Sequence, residues 1–313
     1  MINGIQVFDC FKFFTEKELL HLRFMEYYDI VDYFVIVEAT TTQTSLPHTP
    51  IFESLKPKFE KYLDKVIHIV VDDMPTYSKE NIWIAENFQR NCIERGLKGI
   101  AKKGDAIFVS DCDEFWNRDK INECVGKDYP IVFVHELYHY WMNAKRSYKW
   151  RGTCYAPYGL MTPQEMRDYS RNIFNESLVK RGFISGEAYL IMNGGWHYCS
   201  LGGAENIQKM CNSKCEGDPN VIIDINEVNK KINNLENIYV NIGISTGSFL
   251  LKGPKSIKKF KEYYPQLFFL NMRIIILSYL RKFNYKIKTF FDIKMMRENK
   301  KLWINRLLDK EIY

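Results

Sequence analysis

Three carboxylates stand close together in the run Ser110-Asp111-Cys112-Asp113-Glu114. Hard oxygen ligands at this spacing suit Mg²⁺ or Mn²⁺. Such ions commonly take one or two carboxylates and complete their shell with water and substrate phosphates. The acids follow an apolar run, Ala106-Ile107-Phe108-Val109, that reads as a buried strand. Asp111 and Asp113 are two apart, so an extended chain would project both to one side. A polar strand end closed by an Asx-turn would give the same letters without chemistry. The choice between the two readings depends on the elements that place the acids.

Those elements alternate. Strand patterns cover 5–10, 33–37, 65–71 and 106–109, and helical patterns lie between them. Thr15 reads as the cap of the first helix, and 52–63 and 82–97 as the next two. This alternation predicts an α/β fold with a mostly parallel twisted sheet and helices on both faces. The acids then emerge at the carboxyl end of the fourth strand, where open α/β sheets bind ligands. Further on, 130–141 reads as a long strand, 152–160 as irregular, and 162–169 as a short helix opened by Thr162-Pro163. A strand over 186–192 runs into Asn193-Gly194-Gly195-Trp196-His197, and Gly202-Gly203 opens a helix through Met210. The Lys/Asn/Ile-rich remainder reads as mostly helical. The expected organisation is a main domain over 1–250 and a helical C-terminal extension over 251–313 packed on it.

Composition narrows the partners. The chain has 313 residues, 46% hydrophobic and 26% charged, with 15% aromatic. That is a globular composition with aromatic surface to spare for sugars or bases. A net charge of +6 suits a small anionic substrate such as a nucleotide and falls short of a nucleic-acid footprint. The N-terminal run goes straight into a strand pattern without a signal-peptide profile. The most apolar window, 267–280, carries Asn271 and Arg273 and is too short to span a bilayer. The eight cysteines form no C-x-x-C pair and read as reduced thiols. A cytoplasmic chain with no transmembrane segment is the expectation.

His135-Glu136-Leu137-Tyr138-His139 spells the zinc-protease pattern H-E-x-x-H. That chemistry needs both histidines on one helical turn. Here Ile131-Val132-Phe133-Val134 precedes them and Tyr140-Trp141 follows, which favours a strand. On a strand the two histidines would stand roughly 13 Å apart and could not share one ion.

Several stretches, taken in order, resemble glycosyltransferase family 17. They are Phe8-Asp9-Cys10-Phe11-Lys12-Phe13-Phe14, then 28–39, Val71-Asp72-Asp73-Met74-Pro75 and Phe88-Gln89-Arg90-Asn91. Ser110 to Glu114 follows, and Gly195-Trp196-His197 with Gly202-Gly203-Ala204-Glu205-Asn206-Ile207 closes the set. The resemblance covers about residues 5–235. It implies a GT-A-like fold, a nucleotide-sugar donor (UDP-GlcNAc), a glycan acceptor and an inverting transfer. Two departures stand out. The family usually has Ile-Pro after the acids, where this chain has Phe115-Trp116. Many members carry a histidine after the Gly-Gly helix, where this chain has Ser213-Lys214-Cys215-Glu216. Metal binding therefore rests on Asp111 and Asp113 alone, or recruits Glu216 or His197.

Roles follow from that implied chemistry. A divalent ion, Mn²⁺ or Mg²⁺, would stabilise the diphosphate leaving group as a Lewis acid. Asp113 is the expected direct ligand, with Asp111 on the metal through water or on the donor ribose. Glu114 is either a third acid of the site or a helix cap. Inversion needs a general base, for which Glu205 at the start of the Gly-Gly helix is the candidate. His197 could bind metal or diphosphate. Arg90 offers a fork for phosphate or for the acid cluster, and Glu38 at the end of the second strand could contact the donor. Trp196 and Trp150, with Tyr148, are the expected acceptor platform. Two rivals stand beside this reading. One is a phosphohydrolase with a strand-end D-x-D, which would normally continue to Thr or Val near the chain start. The other is a glycan-binding protein on the same fold that lost catalysis.

Overall fold

The fold is known from a computed structural model, which describes residues 1–173, 175–183, 188–215, 222–234, 236, 246–248, 253–268 and 276. Its first half alternates strand and helix. The elements are β1 (Val7–Lys12), α1 (Lys17–Tyr27), β2 (Tyr33–Ala39), α2 (Phe52–Phe59), β3 (Val66–Val71), α3 (Ile84–Asn91), α4 (Ile93–Leu97) and β4 (Ala106–Asp111). β1, β2 and β4 are Val/Ile/Phe-rich and buried on both faces, as parallel strands under two helical layers must be. The order β3-β2-β1-β4 is parallel throughout. Its register sets Lys12, the last residue of β1, opposite Asp111, the last residue of β4.

The second half differs from the sequence expectation. β5 (Glu114–Trp116), β6 (Ile131–His139), β7 (Lys145–Pro157), α5 (Pro163–Arg171), α6 (Glu176–Lys180) and β8 (Tyr189–Cys199) come next. After them come α7 (Gly203–Ser213), α8 (Ile225–Asn233), β9 (Thr246–Ser248) and α9 (Ile257–Tyr263). The full order is β3-β2-β1-β4-β7-β6-β8-β5, with β9 on β7. β4 meets β7 antiparallel, β7 meets β6 antiparallel, and β5 meets β8 antiparallel. The sheet is therefore mixed rather than mostly parallel. The reason is local: a short turn joins β6 to β7, and a hairpin can only return antiparallel. β7 also runs through 152–157, which the sequence presents as irregular. Gly152 and Cys154 hide its alternation.

Helices cover both faces. α1, α2 and α9 pack on one, around Phe24, Phe34, Phe108, Trp116 and Phe260. α4, α5 and α6 pack on the other, around Val35, Ile93, Val109 and Met166. Thr162 opens α5 with a full capping box to Glu165, as the Thr-Pro signal suggested. Thr15 does not cap α1; Glu16 occupies that position, and its carboxylate accepts from Phe14 and Thr15 N–H instead. The helix expected over 82–97 is broken at Cys92 into α3 and α4.

Of the expected C-terminal extension, 253–268 shares the main core. Ile257 and Phe260 lie in the same cluster as α1, and the buried Glu26 carboxylate caps the start of α9 through Lys255 and Ser256 N–H. Residues 269–275 and 277–313 lie outside the described residues. Among the described residues no helix is long and apolar enough to cross a membrane.

Candidate functional site

The three acids do not share one environment. β4 ends at Asp111, Cys112 and Asp113 form a tight turn, and Glu114 begins β5. Asp113 is thus not on an extended chain, and its carboxylate has other partners than that of Asp111.

Glu114 is fully buried and is the hub. Its oxygens accept from Trp150 Nε1 at 2.7 Å, from Arg167 Nη1 at 2.9 and 3.0 Å, and from Asp111 N–H at 3.1 Å. The same Arg167 donates from Nη2 to Asp111. Asp111 also faces Arg90 Nη2 at 3.4 Å and Lys12 Nζ at 3.8 Å. Burial opposes the charge on both acids, yet Arg167 leads a set of cations that outweighs it. Asp111 is held well below the usual carboxylate range, and Glu114 is held at about 2. Lys12 and Arg90 are themselves braced by Glu86 on α3.

Asp113 pairs with a histidine instead. Its Oδ2 lies 3.3 Å from His197 Nε2, and its side chain is 19% exposed. The turn is fixed to β8 by Tyr198 N–H donating to Asp113 O at 2.9 Å. Desolvation lowers the Lys214 ammonium, just past the end of α7, but the charges of Asp113 and Asp111 outweigh it and raise its pKa. The register of β5 on β8 pairs Glu114 with His197, so both project to one face. That face also carries Trp150, whose ring lies between the Arg171 guanidinium at 3.4 Å and the His197 ring at 4.5 Å.

Beneath the turn lies a buried ion pair. Arg23 of α1 and Asp9 of β1 are both fully enclosed and bond in a fork at 2.6 and 2.9 Å. The remaining Arg23 donors go to Ser110 Oγ at 2.8 Å and to the carbonyls of Asp111, Cys112 and Glu114 at 3.0, 3.3 and 2.8 Å. Trp116 Nε1 also donates to Asp9, at 3.1 Å. One guanidinium therefore pins the backbone that carries all three acids.

The fit of a divalent ion can be judged on these donors. Asp111 is ringed by Arg167, Arg90 and Lys12, which would repel a metal and already occupy the carboxylate. Asp113 and His197 offer one hard oxygen and one imidazole nitrogen at a partly open position. The Asp113 oxygen suits Mn²⁺ or Mg²⁺ with the rest of the shell from water and phosphate, and the His197 nitrogen is a ligand Mn²⁺ accepts more readily than Mg²⁺. Among the described residues no third His, Cys, Asp or Glu joins them.

The chain matches glycosyltransferase family 17 over residues 2–177. It belongs to that family. It is similar to the human and rat proteins named beta-1,4-mannosyl-glycoprotein 4-beta-N-acetylglucosaminyltransferase, at 29% identity over 111 residues in each case. The mouse protein of that name is 28% identical over the same length. Each match covers 34% of this chain and 21% of the relative, so the chain spans about a fifth of the length of the relatives it matches. The family match contains β1 to β7 and the acid turn, and it ends before His197 and Glu205.

Within this family-17 chain the sequence-picked residues divide. Asp111, Asp113, Glu114, Arg90, His197 and Trp150 do come together. Arg90 meets the acid cluster rather than an open space: it is 2% exposed and bonds Gln164, Glu86 and Asp111. Trp150 donates its N–H to Glu114 and meets Arg171 and His197 with its ring. Trp196 follows the strand alternation to the face opposite His197, where it packs, partly buried, against the main core. Glu38 is not at the site. Its fully buried carboxylate accepts from Ile51 and Phe52 N–H at the start of α2 and contacts His68 Nε2 at 2.8 Å. Glu205 is exposed in the first turn of α7. Glu216 and the side chain of Tyr148 lie outside the described residues.

Sequence reasoning missed Arg167, Lys12, Asp9 and Arg23. Arg167 and Arg171, one turn apart on the helix that Thr162-Pro163 opens, were the available signal. The H-E-x-x-H histidines lie on β6, as their β-branched surroundings predicted. His135 is nonetheless beside the site: its ring fills space left by Gly152 and Gly195, whose Cβ atoms would come within 2.4 and 2.9 Å of it. Neither of its nitrogens has a partner among the described residues.

That enclosure has a pH consequence. Burial pushes His135 from 6.5 down to about 3. Between those values the unfolded chain binds a proton that the native chain does not, so stability present above pH 6.5 is lost as pH falls. At pH 5 His135 alone should cost about 2 kcal/mol. Urea midpoints at pH 7.5 and pH 5 measure the loss, and His135→Gln should recover about that much of it. An unchanged acid loss in His135→Gln would show that the native ring titrates normally.

Proposed function

We propose that this chain is a metal-dependent inverting glycosyltransferase with a GT-A-like fold. The reading is transfer of GlcNAc from UDP-GlcNAc to a hydroxyl of a glycan acceptor. The observation that carries it is the Asp113–His197 pair on a turn at the carboxyl edge of the parallel strands, within a family-17 chain. Open α/β sheets bind nucleotides at that edge.

Each part of the site has work in this chemistry. Mn²⁺ or Mg²⁺ held by Asp113 and His197 would supply Lewis acidity at the diphosphate. Lys214 brings a positive charge within electrostatic range of Asp113, suited to phosphate oxygens that gain charge as the bond to the sugar breaks. Arg167 keeps Asp111 and Glu114 ionised and in place, and Arg23 fixes the turn from below. Glu205, exposed at the start of α7, takes the proton of the acceptor hydroxyl. The ion pair between Arg167 and Asp111 argues against the phosphohydrolase alternative, which needs that carboxylate as a free nucleophile.

A screen of UDP- and GDP-sugars for hydrolysis with Mn²⁺ present tests the reading, with UDP binding followed by calorimetry. UDP should bind in a Mn²⁺-dependent way, and Asp113→Asn should weaken that binding about 100-fold. Unchanged Mn²⁺-dependent affinity in Asp113→Asn would sink the metal assignment. Binding of glycans without any nucleotide-sugar hydrolysis would favour a lectin on this fold.

A further inference from the structure

The far end of α7 is tied to the loop that follows β2. The last carbonyls of a helix have no partner within it, and here the loop supplies donors. Gln43 N–H donates to Ser213 O at 3.1 Å, and Thr44 Oγ1 donates to Asn212 O at 2.6 Å. The Gln43 side-chain oxygen then accepts from Cys215 N–H at 2.9 Å. One residue therefore holds the chain on both sides of Lys214, which is itself exposed. Cys215 is buried, and its Sγ donates to Glu86 Oε2 at 3.0 Å. Glu86 is the carboxylate that braces Lys12 and Arg90, the two cations facing Asp111. This end of α7 thus adjoins the acid cluster.

We propose that Gln43 is a positioning residue of the site: it fixes the backbone around Lys214 and so keeps that ammonium in place for the phosphates of the donor. The inference rests on the glycosyltransferase reading, which gives Lys214 its phosphate partner. A lysine is a point charge on a flexible four-carbon stem. Where its ammonium can go depends on where its Cα stands. Lys214 is the first residue past the helix, with an extended backbone at φ −81° and ψ 152°. Its own N–H makes the last bond of that turn, to Met210 O at 3.0 Å. Beyond it only the Gln43 amide and Glu86 hold Cys215 among the printed contacts. Without the amide, the stem would start from a looser backbone and spend less time within range of Asp113 and Asp111.

The loop itself is fixed well enough to serve as an anchor. Thr42 N–H donates to Leu46 O at 2.7 Å, and Ser45 N–H donates to Thr42 O at 3.0 Å. Leu46 N–H donates to Thr42 Oγ1 at 3.0 Å, and the hydroxyls of Thr42 and Thr44 lie 2.9 Å apart. Ser45 closes the turn in the left-handed region, at φ 64°. Short hydroxyl side chains bond nearby backbone in turns, and Thr40-Thr41-Thr42-Gln43-Thr44-Ser45 places one at every position except Gln43. Gln43 is the one long side chain of the run, and it is the one that reaches Cys215.

A double-mutant cycle of Gln43 and Lys214 in the full chain, read by calorimetry of Mn²⁺–UDP binding, tests the role. Gln43→Ala keeps the backbone bond to Ser213 and the Thr44 bond to Asn212, so the chain should fold, which a melting curve checks. Gln43→Ala should weaken Mn²⁺–UDP binding about fivefold, and Lys214→Met about tenfold. The double variant should bind no more weakly than Lys214→Met, because Gln43 acts through that ammonium. A bond that only ties α7 to the sheet would lower the melting temperature and leave the affinity alone. Wild-type affinity in Gln43→Ala or in Lys214→Met therefore overturns the role. So do losses that multiply in the double variant, since Gln43 would then act independently of Lys214. A wild type that binds no UDP overturns the glycosyltransferase reading instead.

Discussion

Arg23→Met should destabilise the fold by about 3–5 kcal/mol, the usual result of leaving one member of a buried ion pair alone. Among the described residues Asp9 would keep its charge with Trp116 Nε1 as its side-chain partner, and three carbonyls of the acid turn would lose the Arg23 donor. Chemical denaturation reads the loss directly. The more telling variant is the double substitution Asp9→Leu with Arg23→Met. Replacing both charges with apolar groups is often neutral or better for stability, so much of the lost stability should return. The turn would still lack its anchor. Mn²⁺-dependent UDP binding should therefore remain weak, by tenfold or more, in a chain that folds. If the double variant folds and binds Mn²⁺–UDP as the wild type does, Arg23 is only a core ion pair and positions nothing.

Glu205→Gln should cut transfer to the acceptor by about 10²–10⁴-fold while leaving UDP and metal binding nearly intact. The substitution preserves size and most hydrogen bonding but cannot take a proton. Hydrolysis of the donor by water should fall less, because a small nucleophile has other paths of approach. The competing role for Glu205 is that of an acidic residue in the first turn of α7, worth about 0.3–1 kcal/mol through the helix dipole. That role predicts a small drop in melting temperature and near-normal transfer. One variant with a melting curve and a transfer assay separates the two outcomes. Near-wild-type transfer removes Glu205 as the base.

The parallel half of the fold was legible because its signals are local. Runs such as Val35-Ile36-Val37 and Ile107-Phe108-Val109 carry their burial in their own composition, and α3 carries a 3.6-residue period, whereas α1 is buried on most of its circumference. The acids at the end of β4 were legible for the same reason. So was the strand character of His135 to His139, because β-branched and aromatic neighbours decide it. The capping box at Thr162 is likewise written in adjacent letters.

What the letters could not decide was partnership across the sheet. Asp111 and Asp113 look alike in sequence. The fold gives one to Arg167, Arg90 and Lys12 and the other to His197, because a turn between β4 and β5 breaks the alternation. Trp196 and His197 are neighbours in the chain, and the pleat sends them to opposite faces. Glu38 ends a strand as the acids do, yet the start of α2 folds back to consume it. Asp9 and Arg23 are ordinary letters until α1 packs on β1. A strand or a helix is determined by a few adjacent residues, so sequence shows it. A charge acquires its role from residues that only the folded sheet brings within 3 or 4 Å, so tertiary structure alone assigns it.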